Sequence, residues 1–273
     1  MEDTTIQQAA NEISNAEALV ICTGAGMGVD SGLPDFRGDS GFWNAYPMYE
    51  DLGINFYDAA NPVHFQRDPA FGWGFYGHRT NLYRETEPHA GFAIIKRWGD
   101  RLGGNYFVVT SNVDGQFQKA GFPEDAIVEV HGSIHHLQCL SPCGQKIWRN
   151  NHKYIIDHTT MRAATLPHCP DCGEVARPNI LMFGDFSWIS TRTDNQEQRF
   201  NRFLIENNGR RLVIVELGAG TAVPTIRHLT ETLGRKKNAR AIRINPREAE
   251  IGSAHISIAD GALSALRAID ALL

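Results

Sequence analysis

Four of the five cysteines come as two pairs, Cys139-Leu-Ser-Pro-Cys143 and Cys169-Pro-Asp-Cys172, with 25 residues between them. Tight loops carrying two thiolates each can close a tetrahedral shell around Zn²⁺. Pro142, Gly144, Pro170 and Gly173 are turn residues that help the backbone double back at each pair. Four unrelated thiols, or a redox pair, are the bland alternatives, but paired spacing of this kind rarely arises by accident. His135 and His168 stand nearby as other candidate ligands, yet four sulfurs already fill the shell. A filled shell leaves no open position for water, so this metal is expected to be structural. The odd cysteine, Cys22, falls in a short apolar run and is expected in the core.

That run, Leu19-Val20-Ile21-Cys22, leads into Thr23-Gly24-Ala25-Gly26-Met27-Gly28. A buried strand entering a glycine-rich turn opens a nucleotide-binding unit, in which a backbone without side chains can approach a pyrophosphate. A helix N-terminus after the turn would favour the phosphate charge. The acidic residue that a dehydrogenase fingerprint carries ~20 residues further on is not evident. Instead the chain continues through Ser31-Gly32-Leu33-Pro34-Asp35-Phe36-Arg37, a loop loaded with Asp35, Phe36 and Arg37. Two further strand-like runs end in polar residues. Tyr106–Thr110 is followed by Ser111, Asn112 and Asp114, and Ile127–Val130 by His131. An imidazole at a strand end can serve as a general base near neutral pH.

These residues need a frame. Residues 6–18 have helical spacing of apolar side chains. Further strands are expected at Leu212–Leu217, Arg240–Ile244 and His255–Ile258, with helices at Pro224–Leu233 and Ala262–Leu273. Strands alternating with helices predict an α/β fold with a mainly parallel sheet covered on both faces. Ligands in such sheets sit beyond the carboxyl ends of the strands. Residues 39–90, rich in aromatics and turn residues, read as a loop plus a few short helices lining a pocket. Residues 133–178 read as a small inserted module.

Composition limits the alternatives. The chain has 273 residues, 42% hydrophobic and 21% charged, which is ordinary globular usage and excludes disorder and coiled coil. Lys and Arg total 26 against 31 Asp and Glu, so nothing supports a basic nucleic-acid surface. No stretch approaches the ~18 apolar residues of a membrane span. The start, Met1-Glu2-Asp3-Thr4-Thr5, is not a basic signal sequence, and a cytoplasmic location is expected.

Taken together, Gly24-Ala25-Gly26 with Ser31–Arg37, Thr110-Ser111-Asn112-Val113-Asp114, and Val130-His131-Gly132 followed by two cysteine pairs resemble the sirtuins. So do Arg177–Asp185, Gly218-Ala219-Gly220-Thr221 and Asn245, in the same order along nearly the whole chain. The resemblance implies one catalytic domain over 1–273. Its Rossmann-like core would take about 1–38, 91–132 and 179–273. A helical and loop insertion would take about 39–90, and the zinc-binding module about 133–178.

The implied activity is NAD-dependent removal of acyl groups from lysines of a protein or peptide, with NAD consumed and one structural zinc per chain. By the same resemblance Gly24, Ala25, Gly26, Gly218, Ala219, Gly220, Asn245 and Ala259 would hold NAD. Asp35, Phe36 and Arg37 would belong to a loop over the nicotinamide ribose. Ser111, Asn112 and Asp114 would contact the ribose and the nicotinamide amide, and His131 would be the base. Phe75-Tyr76-Gly77-His78-Arg79 resembles the Tyr-x-x-Arg signature of sirtuins that accept acidic acyl groups, with Tyr76 and Arg79 binding the acyl carboxylate; a surface ion pair at Arg79 is the alternative. The chain departs from the family at Gly28, Ser111, Gln116, Phe117 and the Gly218–Thr221 turn. Transfer of the ADP-ribosyl group to a protein, NAD hydrolysis, and non-enzymatic sensing of NAD or ADP-ribose are the rival readings. Oligomeric state is not legible in the residues.

Overall fold

A computed structural model describes residues 3–35 and 38–273. Phe36 and Arg37 lie outside the described residues. Helix α1 (Asp3–Ser14) leads into β1 (Ala18–Thr23) and a 3₁₀ segment, Ala25–Ser31. Helices α2 (Gly38–Ala45), α3 (Pro47–Asp51), α4 (Phe56–Ala59), α5 (Val63–Arg67), α6 (Pro69–Glu85) and α7 (Ala90–Arg101) follow. Then come β2 (Tyr106–Thr110), α8 (Gln116–Lys119), β3 (Ile127–Glu129), β4 (Gly132–Cys139), β5 (Ile147–Arg149), β6 (Ile156–Asp157), β7 (Arg162–Ala163) and β8 (Ala176–Ile180). The chain closes with α9 (Thr191–Glu206), β9 (Leu212–Leu217), α10 (Thr225–Gly234), β10 (Ala239–Ile244), β11 (Ile256–Ile258) and α11 (Ala262–Asp270).

Six strands pair in the order β11-β10-β9-β1-β2-β3, all parallel. The apolar strands alternate between two cores. Leu19 and Ile21 of β1, with Val213, Val215 and Leu217 of β9, pack towards α1, α7 and α11. Val20, Cys22 and Ile214 pack towards α9 and α10. Both faces are therefore dry, as continuous apolar strands require. Cys22 is buried as expected, and burial pushes its thiol up to about 12, so it stays protonated. Along the chain the strands run outward from β1 through β2 to β3, then restart at β9 on β1's other side. That reversal makes the β1/β9 boundary the place where a crevice opens.

The stretch 39–90 departs from the expected loop with short helices. Its last third is α6, seventeen residues long and begun by Pro69, with Asp68 Oδ1 accepting from Phe71 N at 3.1 Å. Gly72, Gly74 and Gly77 made this segment read as non-helical, because glycine is a poor helix former. Packing explains them. A Cβ on Gly74 would stand 1.7 Å from the Met161 carbonyl oxygen, so β7 can lie directly on the helix only if that position has no side chain. Trp73 stacks on Tyr154 with centroids 4.6 Å apart and donates Nε1–H to the Ala176 carbonyl at 2.8 Å. Arg84 donates to the His152 carbonyl at 2.7 Å and to that of Asn150. Helix α6 is thus the spine on which the inserted module hangs. Among the described residues, no helix is long and apolar enough to cross a membrane.

Candidate active site and metal centre

Backbone bonds stitch four strand ends together along the carboxyl edge of the sheet, from β9 through β1 and β2 to β3. Gly24 N donates to the Leu217 carbonyl at 3.0 Å, Ser111 N to Thr23 at 3.0 Å, and Val130 N to Thr110 at 3.0 Å. The hydroxyls of Thr23 and Thr110 bond at 2.8 Å beneath. Two of the glycines, Gly26 and Gly218, make a contact that their local spacing does not announce. Gly218 sits at φ +62°, and a Cβ there would lie 2.4 Å from the Gly26 carbonyl carbon; one on Gly26 would lie 2.7 Å from Gly218 Cα. Two turns almost two hundred residues apart touch backbone to backbone, and Gly26 N–H donates to the Gly218 carbonyl at 3.0 Å. Gly26 is therefore used up in that contact and does not line the cavity. Gly24, Ala25, Gly218, Ala219 and Gly220 do line it, and they present backbone with at most a methyl group. The segment after the turn is a seven-residue 3₁₀ helix in place of the expected α-helical N-terminus.

The cavity has a volume of about 660 Å³, a size usual for small-molecule and cofactor sites. Asp35, Ser111, Asn112, Asp114 and His131 face it, as do Tyr76, Arg79 and Tyr83 from α6. Asn112 donates Nδ2–H to the Gly24 carbonyl at 3.0 Å, which locks it to the first turn and leaves its side-chain oxygen as an acceptor. Asp114 is buried, and its Oδ1 accepts from Gln116 N at 2.9 Å. Burial raises its carboxyl to about 6, with the Gln116 N–H and the Arg79 charge opposing that rise. His131 follows β3 and faces the cavity, with the nearby Ser111 carbonyl favouring its protonated form. Burial lowers its pKa below the usual imidazole value, so the ring is neutral at pH 7. A neutral imidazole carries one N–H and leaves its other nitrogen as an acceptor.

Two expected NAD contacts lie elsewhere. Asn245 is buried beneath the second turn, where Nδ2–H donates to the Ala219 carbonyl at 2.9 Å. It is a strut for that turn. Ala259 is exposed just past β11 and does not line the cavity. Arg79 is 7% exposed and forms part of the cavity wall, which removes the surface ion pair as its setting.

The cysteines converge although β4 and the second pair are thirty residues apart. Cys139 closes β4, and Cys169 to Gly173 form a tight turn, with Gly173 N donating to Cys169 O at 2.9 Å. Cys139 Sγ lies 3.6 Å from Cys172 Sγ, and Cys143 Sγ 3.7 Å from Cys169 Sγ. All four sulfurs fall within 4.8 Å of one another. These separations are too long for disulfides. They match the edge of a tetrahedron with Zn–S bonds of about 2.3 Å, so the residues fit one zinc ion. Of the two alternative ligands, His135 is engaged with the Asp114 carbonyl at 2.8 Å and His168 with that of Gly173 at 3.0 Å.

Sequence reasoning missed Tyr83 and Gln116. Tyr83 has no signature of its own, though its i+4 spacing from Arg79 on a helix was there to be read. Gln116 donates Nε2–H to the carbonyls of Tyr83 and Thr86, both at 3.3 Å, and so fastens the end of α6 to the loop that bears Asp114.

Comparison with known proteins agrees with this geometry. The model of the Sir2 family matches residues 24–203. An NAD-dependent protein deacylase of Aquifex aeolicus is 29% identical over 233 residues, covering 85% of each chain. NAD-dependent protein deacylase 1 of Caldanaerobacter subterraneus subsp. tengcongensis is 30% identical over 196 residues, 71% of this chain and 73% of its own. The crystal structure of a Sir2 homolog–NAD complex superposes with a TM-score of 0.74 at 24% identity, over 97% of this chain and 93% of that one.

Proposed function

We propose that this chain, which belongs to the Sir2 family, uses NAD to remove acyl groups from protein lysine side chains, giving free lysine, nicotinamide and O-acyl-ADP-ribose. One observation carries the proposal: a neutral imidazole, a fixed amide and a buried carboxyl converge on one cavity beside two side-chain-poor turns. In this reading the turns at Gly24–Ala25 and Gly218–Gly220 receive the pyrophosphate. Asn112 and Asp114 hold the nicotinamide ribose and carboxamide. The acyl carbonyl oxygen bonds the anomeric carbon as the bond to nicotinamide breaks, its electron pair leaving with the nicotinamide nitrogen. His131 then takes the proton of a ribose hydroxyl, whose oxygen attacks the carbon of the resulting imidate. The carbon–nitrogen bond then breaks as the lysine amine leaves with the proton that His131 took, and water adds to the same carbon to leave O-acyl-ADP-ribose. The four thiolates would hold zinc in a closed shell, which gives the metal no part in these steps. A thiolate-zinc protein acting on lysines also suits the reducing cytoplasm.

The acyl group we propose is an acidic one. Tyr76 and Arg79, three apart on α6, are both buried and both face the cavity. A guanidinium in the cavity wall, surrounded by the rings of Phe75, Tyr76 and Tyr83, favours a carboxylate such as that of a succinyl or malonyl group. Mass spectrometry after incubation with NAD and either acetyl- or succinyl-lysine peptide tests both levels. Acyl-ADP-ribose is the expected product, formed faster from the succinyl peptide, and Arg79→Met abolishes that preference. Free ADP-ribose without peptide, or ADP-ribosylated protein, would overturn deacylation in favour of the rival chemistries.

The pH dependence follows from Asp114. Its native carboxyl is raised to about 6, so between the ordinary carboxylate range and about 6 the native protein binds the extra proton and loses stability as pH rises. If the ionised form accepts from the carboxamide, kcat/KM for NAD rises through about pH 6 and levels off above it. Asp114→Asn should erase that limb. A limb that survives the substitution unchanged assigns it to another group.

A further inference from the structure

We infer that Tyr83 is the positioning residue that makes Arg79 a carboxylate receptor, and so sets the preference for acidic acyl groups. This rests on the acidic-acyl reading above. Its observations are independent of the Tyr-x-x-Arg signature, which stops at Arg79. The phenolic oxygen of Tyr83 accepts from Arg79 Nε at 2.9 Å and from Nη2 at 2.7 Å. These two hydrogens form one edge of the guanidinium fork, so a single oxygen holds both and fixes the plane of the group. The rings of Phe75, Tyr76 and Tyr83 stand 5.1, 5.6 and 5.3 Å from the guanidinium carbon, and this aromatic surround limits its movement.

The Tyr83 oxygen thus sets the plane that the guanidinium presents to an incoming carboxylate. The single O–H hydrogen of Tyr83 is used in neither bond, and Tyr83 faces the cavity, so it is a further donor for that carboxylate. Tyr83 is itself anchored. Its carbonyl accepts from Gln116 Nε2, and Gln116 N–H holds the Asp114 carboxyl. The receptor end and the Asp114 end of the cavity are therefore spaced by one short run of bonds through Tyr83 and Gln116. An acetyl group has no carboxylate to use this arrangement.

The test measures kcat and KM of the full chain and of Tyr83→Phe and Arg79→Met with acetyl- and succinyl-lysine peptides at saturating NAD. Tyr83→Phe keeps the ring and removes only the hydroxyl. We expect it to raise KM for the succinyl peptide about tenfold or more with a smaller change in kcat, lowering the succinyl-to-acetyl ratio of kcat/KM in proportion. A merely structural role lowers both peptides alike. If Arg79→Met loses the succinyl preference while Tyr83→Phe keeps or increases the ratio, the role of Tyr83 is refuted and the acidic-acyl reading stands. If the wild-type chain shows no succinyl preference, or Arg79→Met retains it, that reading fails and the role of Tyr83 fails with it.

Discussion

Replacing His131 with alanine is expected to lower deacylation by roughly 10²–10⁴-fold, the usual contribution of a positioned general base, while NAD binding stays measurable by calorimetry. The imidazole has the attributes of a base and few of a structural prop. It ends β3 at the carboxyl edge of the sheet, faces the cavity, and burial keeps it neutral at pH 7. A neutral ring keeps one unprotonated nitrogen, which a base requires. The contacts assigned to NAD are made by other groups: the two turns, Asn112 and Asp114. Their geometry is held by backbone bonds that do not pass through the His131 ring. Binding and chemistry should therefore separate. Near-normal acyl-ADP-ribose production by the alanine variant would sink the assignment.

Removing zinc is expected to be as damaging, by a different route. Structural zinc contributes roughly 10–16 kcal/mol in isolated finger peptides, comparable to the entire stability of a typical domain, about 5–15 kcal/mol. The effect here should be local. The six-stranded sheet has its own two cores and needs nothing from the metal. The segment from Cys139 to Cys172 has short strands, and its turns are closed by the sulfurs. Its other attachments are to α6, through Tyr154 on Trp73 and the Arg84 contacts, to β4, through β5 and Asn150, and to Glu124, through Arg149. Chelation, or Cys172→Ser, should release one zinc per chain by elemental analysis. It should open residues 139–175 to rapid hydrogen exchange and abolish activity as α6 loses its cover. The β1, β2 and β9 amides should stay protected. Full protection of the module after metal loss would show that its own packing suffices.

Local spacing carried much of this protein into view. The apolar runs of β1, β2 and β9 announce themselves, because a strand buried on both faces needs consecutive apolar residues. The paired cysteines are legible for a like reason, since each half-site is closed within four or five residues. Asn112, Asp114 and His131 could be assigned to one edge of the sheet because each directly follows a strand.

What tertiary structure decided lies between distant segments. The seventeen residues of α6 are not legible as one helix, because its glycines are explained only by Met161 and Tyr154 about eighty residues later. Gly26 read as a phosphate contact, yet it serves the Gly218 turn, and Asn245 supports Ala219 from below. The duty of Tyr83 depends on where α6 lies against the Asp114 loop. Chain order and spacing thus determined which elements form and which polar groups end them. Which backbones touch, and which side chains share the cavity, came only with packing. A missing side chain or a buried hydrogen bond takes its meaning from the group opposite, and no local pattern names that group.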